Sequence, residues 1–190
     1  MNLREVGDSL FCYQLKEIVD KCPYFSFVTL SALLEFMGNC YRKGQGSKDC
    51  TREVFFNLIN KIDALKAYRL LNFKNDKNED NNYLYKYLRC GMLHEVLPKE
   101  DVVLCPDRND LSDEKKIIGA KNLYEDMKRA WSELKSSPEI SSYMERTEVL
   151  RGVDDYSGST TSSILVNKDL SQKSDFGKSL EDELIAAEGI

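Results

Sequence analysis

In several segments between Ser9 and Ser136 apolar residues return every three or four positions, and no other feature of this chain narrows its fold as strongly. Phe27, Leu30, Leu34 and Met37 make one such row; Val54, Leu58, Ile62 and Leu65 make another, widened by Phe55 and Ile59. A repeat near 3.6 residues lays these side chains along one side of a helix, so each segment has a face to bury against its neighbours. The chain therefore predicts an all-α helical bundle of about five helices.

Start and stop signals divide the rows. Asp8 or Ser9 caps a first helix that runs to about Lys21, where Cys22-Pro23 ends it. A second helix is expected over 26–41. The stretch "RKGQGSKD" has two glycines and no apolar face, and predicts a loop. Thr51 caps a third helix reaching about Leu71. "NFKNDKNEDNN", dominated by asparagine and charge, is expected to be a mobile loop before a helix over 83–95. β-Branched residues between Pro98 and Pro106 predict a short strand or β-hairpin near 96–105. Ser112 opens the next helix, with Ile117, Leu123 or Tyr124, Met127 and Trp131 facing inward and Leu134 near its end, and Ser137-Pro138 starts a short last one.

The character changes at Gly152. Ser, Thr, Asp and Gly dominate the next stretch, a composition too poor in apolar groups to bury a core. Its end, "SLEDELIAAEGI", differs: Ser179 and Asp182 resemble a capping box, and Leu180, Leu184 and Ile185 give an apolar edge. Residues 1–150 thus read as a helical domain, and 151–190 as an extended C-terminal arm ending in a short amphipathic helix. Ile164, Leu165, Val166, Phe176, Leu180, Leu184 and Ile185 are its candidate partner-docking residues. Ordering such an arm costs about 1–2 kcal/mol per residue, so holding it takes an extensive partner surface.

Charge agrees with that division. The chain has 190 residues and a net charge of −5. Residues 1–144 are balanced, with 22 basic and 22 acidic side chains, while 145–190 carry 5 basic and 10 acidic. A dedicated nucleic-acid binder would show a broadly basic surface, which this balance excludes. The uncharged stretch from Pro23 to Leu34 falls short of the roughly 20 residues of a membrane span, and "MNLREVGDSLFCY" lacks the apolar core of a signal peptide. The expectation is an intracellular, cytoplasmic protein with no membrane partner.

The six cysteines, at 12, 22, 40, 50, 90 and 105, form no CxxC pair, and there is one histidine. No Cys/His zinc pattern can be assembled from them, so neither a metal nor any other cofactor is expected. Asp107, Asp110, Asp113 and Glu114 lack the spacing and central glycine of an EF-hand. Arg42, Lys43, Lys48 and Arg52 gather positive charge around the glycine loop as candidate phosphate contacts. No Gly-Lys-Ser/Thr follows to make a phosphate loop, and a solvated loop is the better explanation of the cluster. Cys90 and His94 stand four apart without a third orienting group, so Cys90 reads as a buried thiol rather than a nucleophile.

The one histidine, His94, lies in "YLYKYLRCGMLHEVLPK", five positions after Arg89. Histidine moves protons near neutral pH, and arginine offers a permanent planar charge to a phosphate. Tyr83, Tyr85 or Tyr87 could stack on a base. Together these residues suit metal-independent RNA cleavage. The same pair also suits a purely structural role, tied to carboxylates or helix-end carbonyls.

"YLRCGMLHE" resembles the arginine-x4-6-histidine motif of the HEPN superfamily of helical domains. The family arginine falls on Arg89 and the family histidine on His94. The residue after the arginine, often Asn, Asp or His in that family, is Cys90 here. The resemblance implies a bundle of about four or five helices, commonly dimeric with two motifs lining one cleft. Many members resemble toxin or defence ribonucleases, and others keep the fold without catalysis. In outline alone, a small bundle with a long C-terminal arm is also similar to head–tail connector or adaptor proteins of tailed phage particles, in which the arm anchors a ring. The expectation is a structural protein built into a larger assembly of other subunits, a homo-oligomer or ring, through its arm. The alternative is a HEPN-type metal-independent endoribonuclease acting on RNA through Arg89 and His94.

Overall fold

The computed structural model describes residues 1–46, 50–95, 97–98, 102–112, 116–151 and 165–167. The chain divides into two compact units, one of Asn2–Thr147 and the other of Met1 with Glu148–Ile190.

The larger unit is mostly helical. Helix α1 (Leu3–Ser9) begins earlier than the sequence suggests, because Asn2 and Glu5 form a capping box, each side chain accepting from the other's backbone N–H. Asp8 is therefore no cap. Its carboxylate accepts the Trp131 indole N–H at 2.8 Å and Lys135 at 2.5 Å. A π-helical segment (Leu10–Gln14) leads without a break into α2 (Leu15–Lys21). Phe11, Leu15 and Val19 are all buried and recur every four residues, slightly longer than an α-helical turn; the widened turn accommodates that period.

After Cys22 comes α3 (Pro23–Gly44), longer at both ends than expected. It is the spine of the bundle, packing against α2 and three later helices: α4 (Thr51–Lys61), α6 (Ala120–Ser136) and α7 (Pro138–Arg146). Its inward row, Phe27, Leu30, Leu34 and Met37, is at most 1 % exposed. Trp131 of α6 sits between Phe11 and Phe36, with ring centroids 5.6 and 5.7 Å away.

The third helix does not reach Leu71 as one piece. It stops at Lys61, Ile62 is extended, and a 3₁₀ helix runs over Asp63–Leu71. The restart is capped from a distance: the Glu133 carboxylate accepts the N–H groups of Asp63 and Ala64 at 3.0 and 3.1 Å. Ile62, Leu65, Tyr68 and Leu71 are buried at intervals of three, the period at which 3₁₀ side chains eclipse.

The expected polar loop after Leu71 is a β-hairpin. Strands β1 (Asn72–Lys74) and β2 (Asp80–Asn82) pair antiparallel, with Phe73 opposite Asn81. Asn75 closes the turn by accepting the N–H groups of Lys77 and Glu79, and Asn78 takes the left-handed conformation at φ 59°. The hairpin is fastened to α4 through Arg52–Glu79 at 2.7 Å and Asn72–Asn60 at 2.9 Å.

A second correction concerns residues 96–105. The expected short strand is there, as β3 (Val102–Cys105), but among the described residues it forms no hairpin within 96–105; it pairs in parallel with β5 (Lys116–Gly119). Strand β4 (Asp110–Leu111) pairs antiparallel on the other side of β5. Ile117 and Ile118 therefore belong to a strand, and the helix expected from Ser112 starts at Ala120. Asn109 holds the junction by accepting the Gly119 N–H at 2.6 Å. Helix α7 begins at Ser137-Pro138 as expected.

The smaller unit is described at Met1, 148–151 and 165–167. Strands β6 (Val149–Arg151) and β7 (Leu165–Asn167) pair antiparallel, and the Val149 N–H donates to the Met1 carbonyl.

Candidate functional site

The motif segment is built from its N-terminal end. Asn82, fully buried, turns its side-chain oxygen toward the N–H groups of Leu84 and Tyr85, at 2.7 and 3.3 Å. Its amide donates to the side-chain oxygen of Asn72. One side chain thus caps the coming helix and ties it to the hairpin. A π-helical segment (Leu84–Arg89) follows, then α5 (Cys90–His94).

Arg89 is committed. Its Nε donates to a carboxylate oxygen of Glu35 on α3 at 3.0 Å, and a terminal nitrogen reaches the same oxygen at 2.9 Å. Both side chains are about one-quarter exposed or less, 21 % and 25 %. Burial pulls the guanidinium downward, but the Glu35 hydrogen bond and charge more than offset it, so protonation is favoured over the ordinary value. The Tyr85 ring lies beneath the guanidinium at 5.9 Å and stacks obliquely on Phe55 at 5.4 Å. Cys90, half-buried, lies within hydrogen-bonding reach of both Arg89 and Tyr85.

His94 is the last residue of α5 and is exposed. Five helical positions separate it from Arg89, which is about 140° around an α-helix. Arg89 is drawn toward α3, while His94 stands at the solvent end beside exposed Leu93.

The four candidate phosphate contacts are distributed differently. Arg42 donates to Asn39 at 3.2 Å, Lys43 is half-buried, and Arg52 is held by Glu79. Lys48 lies outside the described residues. Of the docking residues, Leu165 and Val166 fall in β7, while Ile164, Phe176, Leu180, Leu184 and Ile185 lie outside the described residues.

Two participants were not singled out from the sequence. Glu35 is one, a single carboxylate in an apolar row with no local partner to mark it. Phe73 is the other. It meets Tyr83 with centroids 4.9 Å apart and planes tilted by 45°, and Tyr83 stacks with Tyr87 at 4.5 Å. Lys86 lies over the Tyr87 ring and Lys116 over the Tyr83 ring, each at 4.9 Å. The hairpin brings Phe73 next to residues ten or more positions away, a pairing no helical period reveals.

Among the described residues, no three His, Cys, Asp or Glu side chains gather where they could hold a metal ion, and no helix is long and apolar enough to cross a membrane. Comparisons with protein-family models, with curated proteins and with solved structures find no match to this chain.

Proposed function

We propose that the protein is an assembly module: a helical body built into a multi-subunit complex, a homo-oligomer or ring, through its C-terminal segment. The observation that carries this reading is the engagement of Arg89 by Glu35. A guanidinium that joins α3 to the motif segment through two contacts to one carboxylate oxygen acts as a tie within the body. The same side chain, if it served a phosphate, would first have to be taken from that carboxylate.

A second reading rests on His94. The exposed imidazole at the end of α5 can take up or release a proton, as a metal-independent endoribonuclease of the HEPN type requires. Here Glu35 would orient Arg89 rather than occupy it.

One experiment separates the two. The full chain, a His94→Ala variant and a chain ending at Gly152 are each given a mixed RNA pool in EDTA, and their oligomeric state is measured by sedimentation. The assembly reading expects loss of oligomerisation on truncation and no cleavage that depends on His94. Cleavage by the full chain that disappears in His94→Ala overturns it in favour of the ribonuclease.

A further inference from the structure

We propose that the outer face of the first π-helical segment and α2 is a two-fold contact at which a second copy of this chain docks. The inference rests on the homo-oligomer reading and adds to it a contact between bodies, in which Arg89 and His94 take no part.

While Phe11, Leu15 and Val19 face the core, the opposite side of the same stretch carries an open groove of about 350 Å³. Its lining residues fall into two rows of every fourth position: Cys12, Lys16 and Asp20 in one, Tyr13, Glu17 and Lys21 in the other. Such rows are the ridges of a helix, and the channel between two of them is where a ridge of another helix packs. An apolar group stands at each end. Tyr13 is 78 % exposed, and past the turn at Cys22 both Tyr24 and Phe25 are exposed.

Symmetry selects the occupant. A two-fold contact pairs a surface with itself turned through 180°, so its pattern must read alike from either end. Positions 13 and 23, like 16 and 20, are equally spaced about Ile18. With the axis beside Ile18 and the helices antiparallel, Lys16 of each copy meets Asp20 of the other, and Tyr13 meets the end at residues 22–25. Lys16 and Asp20 already pair within the helix at 2.5 Å, yet both side chains are exposed. An ammonium has three donors and a carboxylate several acceptor sites, so the internal pair and the contact across the axis are made together. The Lys21–Glu17 pair beside them, also at 2.5 Å, keeps the face at net zero. In a chain of net charge −5 that neutrality matters, because an acidic face would repel its own copy.

The test is sedimentation equilibrium on the full chain, with thermal melting to check that each variant is folded. A contact of one helix lies at the small end of protein interfaces, so the wild type is expected to associate reversibly as concentration rises. Tyr13→Ser, at an exposed position, should weaken association about tenfold and leave the melting temperature unchanged. Lys16→Glu and Asp20→Lys each set like charges across the axis, and each should weaken association. Mixed in equal amounts, these two variants should recover it as heterodimers, since every pair across the axis is then opposite in sign. A pair that acted only within its own helix would not be repaired by mixing. Association unchanged by Tyr13→Ser and the charge reversals, or no recovery on mixing, overturns this contact and leaves the assembly reading standing. A wild type that stays monomeric at every concentration overturns both.

Discussion

Gly7 and Trp131 show how little room the core leaves. A methyl group on Gly7 would lie 2.1 Å from the Trp131 six-membered ring, and that ring is held between Phe11 and Phe36. Gly7→Ala is expected to lower stability by about 1–3 kcal/mol, read as a lower urea midpoint with unchanged slope. Asp8, beside it, gives a pH signature. Burial raises its pKa, but hydrogen bonds from Lys135 and Trp131 and the Lys135 charge outweigh this, leaving it below the ordinary 3.8. A carboxyl depressed in the folded state contributes stability above its unfolded pKa and loses it as pH falls through the folded value. Asp8→Asn should therefore cost stability at neutral pH and narrow its gap to the wild type below pH 3.8, measured by urea titrations across that range. The Arg89–Glu35 tie is tested by a double-mutant cycle with alanine at each position. A pair midway between exposed and buried predicts a coupling of about 1–2 kcal/mol, and a coupling near zero would remove the tie from the account of this fold.

The hairpin shows how an element is built from polar residues. β1 and β2 are three residues each, too short to stand without support. Asparagine amides supply that support: Asn75 closes the turn, Asn72 bridges to α4 and Asn82 caps the motif segment. Asn82→Ala removes the cap and the link together and is expected to cost about 1–2 kcal/mol, with weakened hydrogen-exchange protection at Leu84 and Tyr85. Asn78 occupies the left-handed region, so Asn78→Val should destabilise by about 1 kcal/mol while Asn78→Gly is tolerated; equal melting temperatures for the two would contradict this. The 3₁₀ segment depends similarly on a remote group, since its first two N–H groups donate to Glu133.

Over the whole molecule, the described core lies inside Asn2–Thr147, from Phe11 to Met144. A chain ending at Gly152 is therefore expected to keep a cooperative thermal transition and its far-ultraviolet helix signal, whatever it loses in assembly. Loss of cooperativity would mean that residues beyond Gly152 belong to the folding unit. The body's balanced charge and the acidic segment after it further predict that truncation raises the isoelectric point above 5.1.

The amino-acid order determined the inward rows of α3, α4 and α6 and the start of α7, because a helix places neighbours of three and four on one face without reference to the rest of the chain. It also marked Arg89 and His94 by residue type. Tertiary structure decided what needs a partner from afar. The Glu133 cap breaks the third helix at Ile62, and the asparagine anchors turn a polar stretch into a hairpin. Pairing with Val102–Cys105 makes a strand of residues 116–119. The site follows the same division. Its arginine was legible, whereas Glu35, which decides what that arginine can do, lies 54 residues away and meets it only when α3 packs on the motif segment. A local period records which way a side chain faces; an ion pair or a cap across the fold depends on where two elements come to rest.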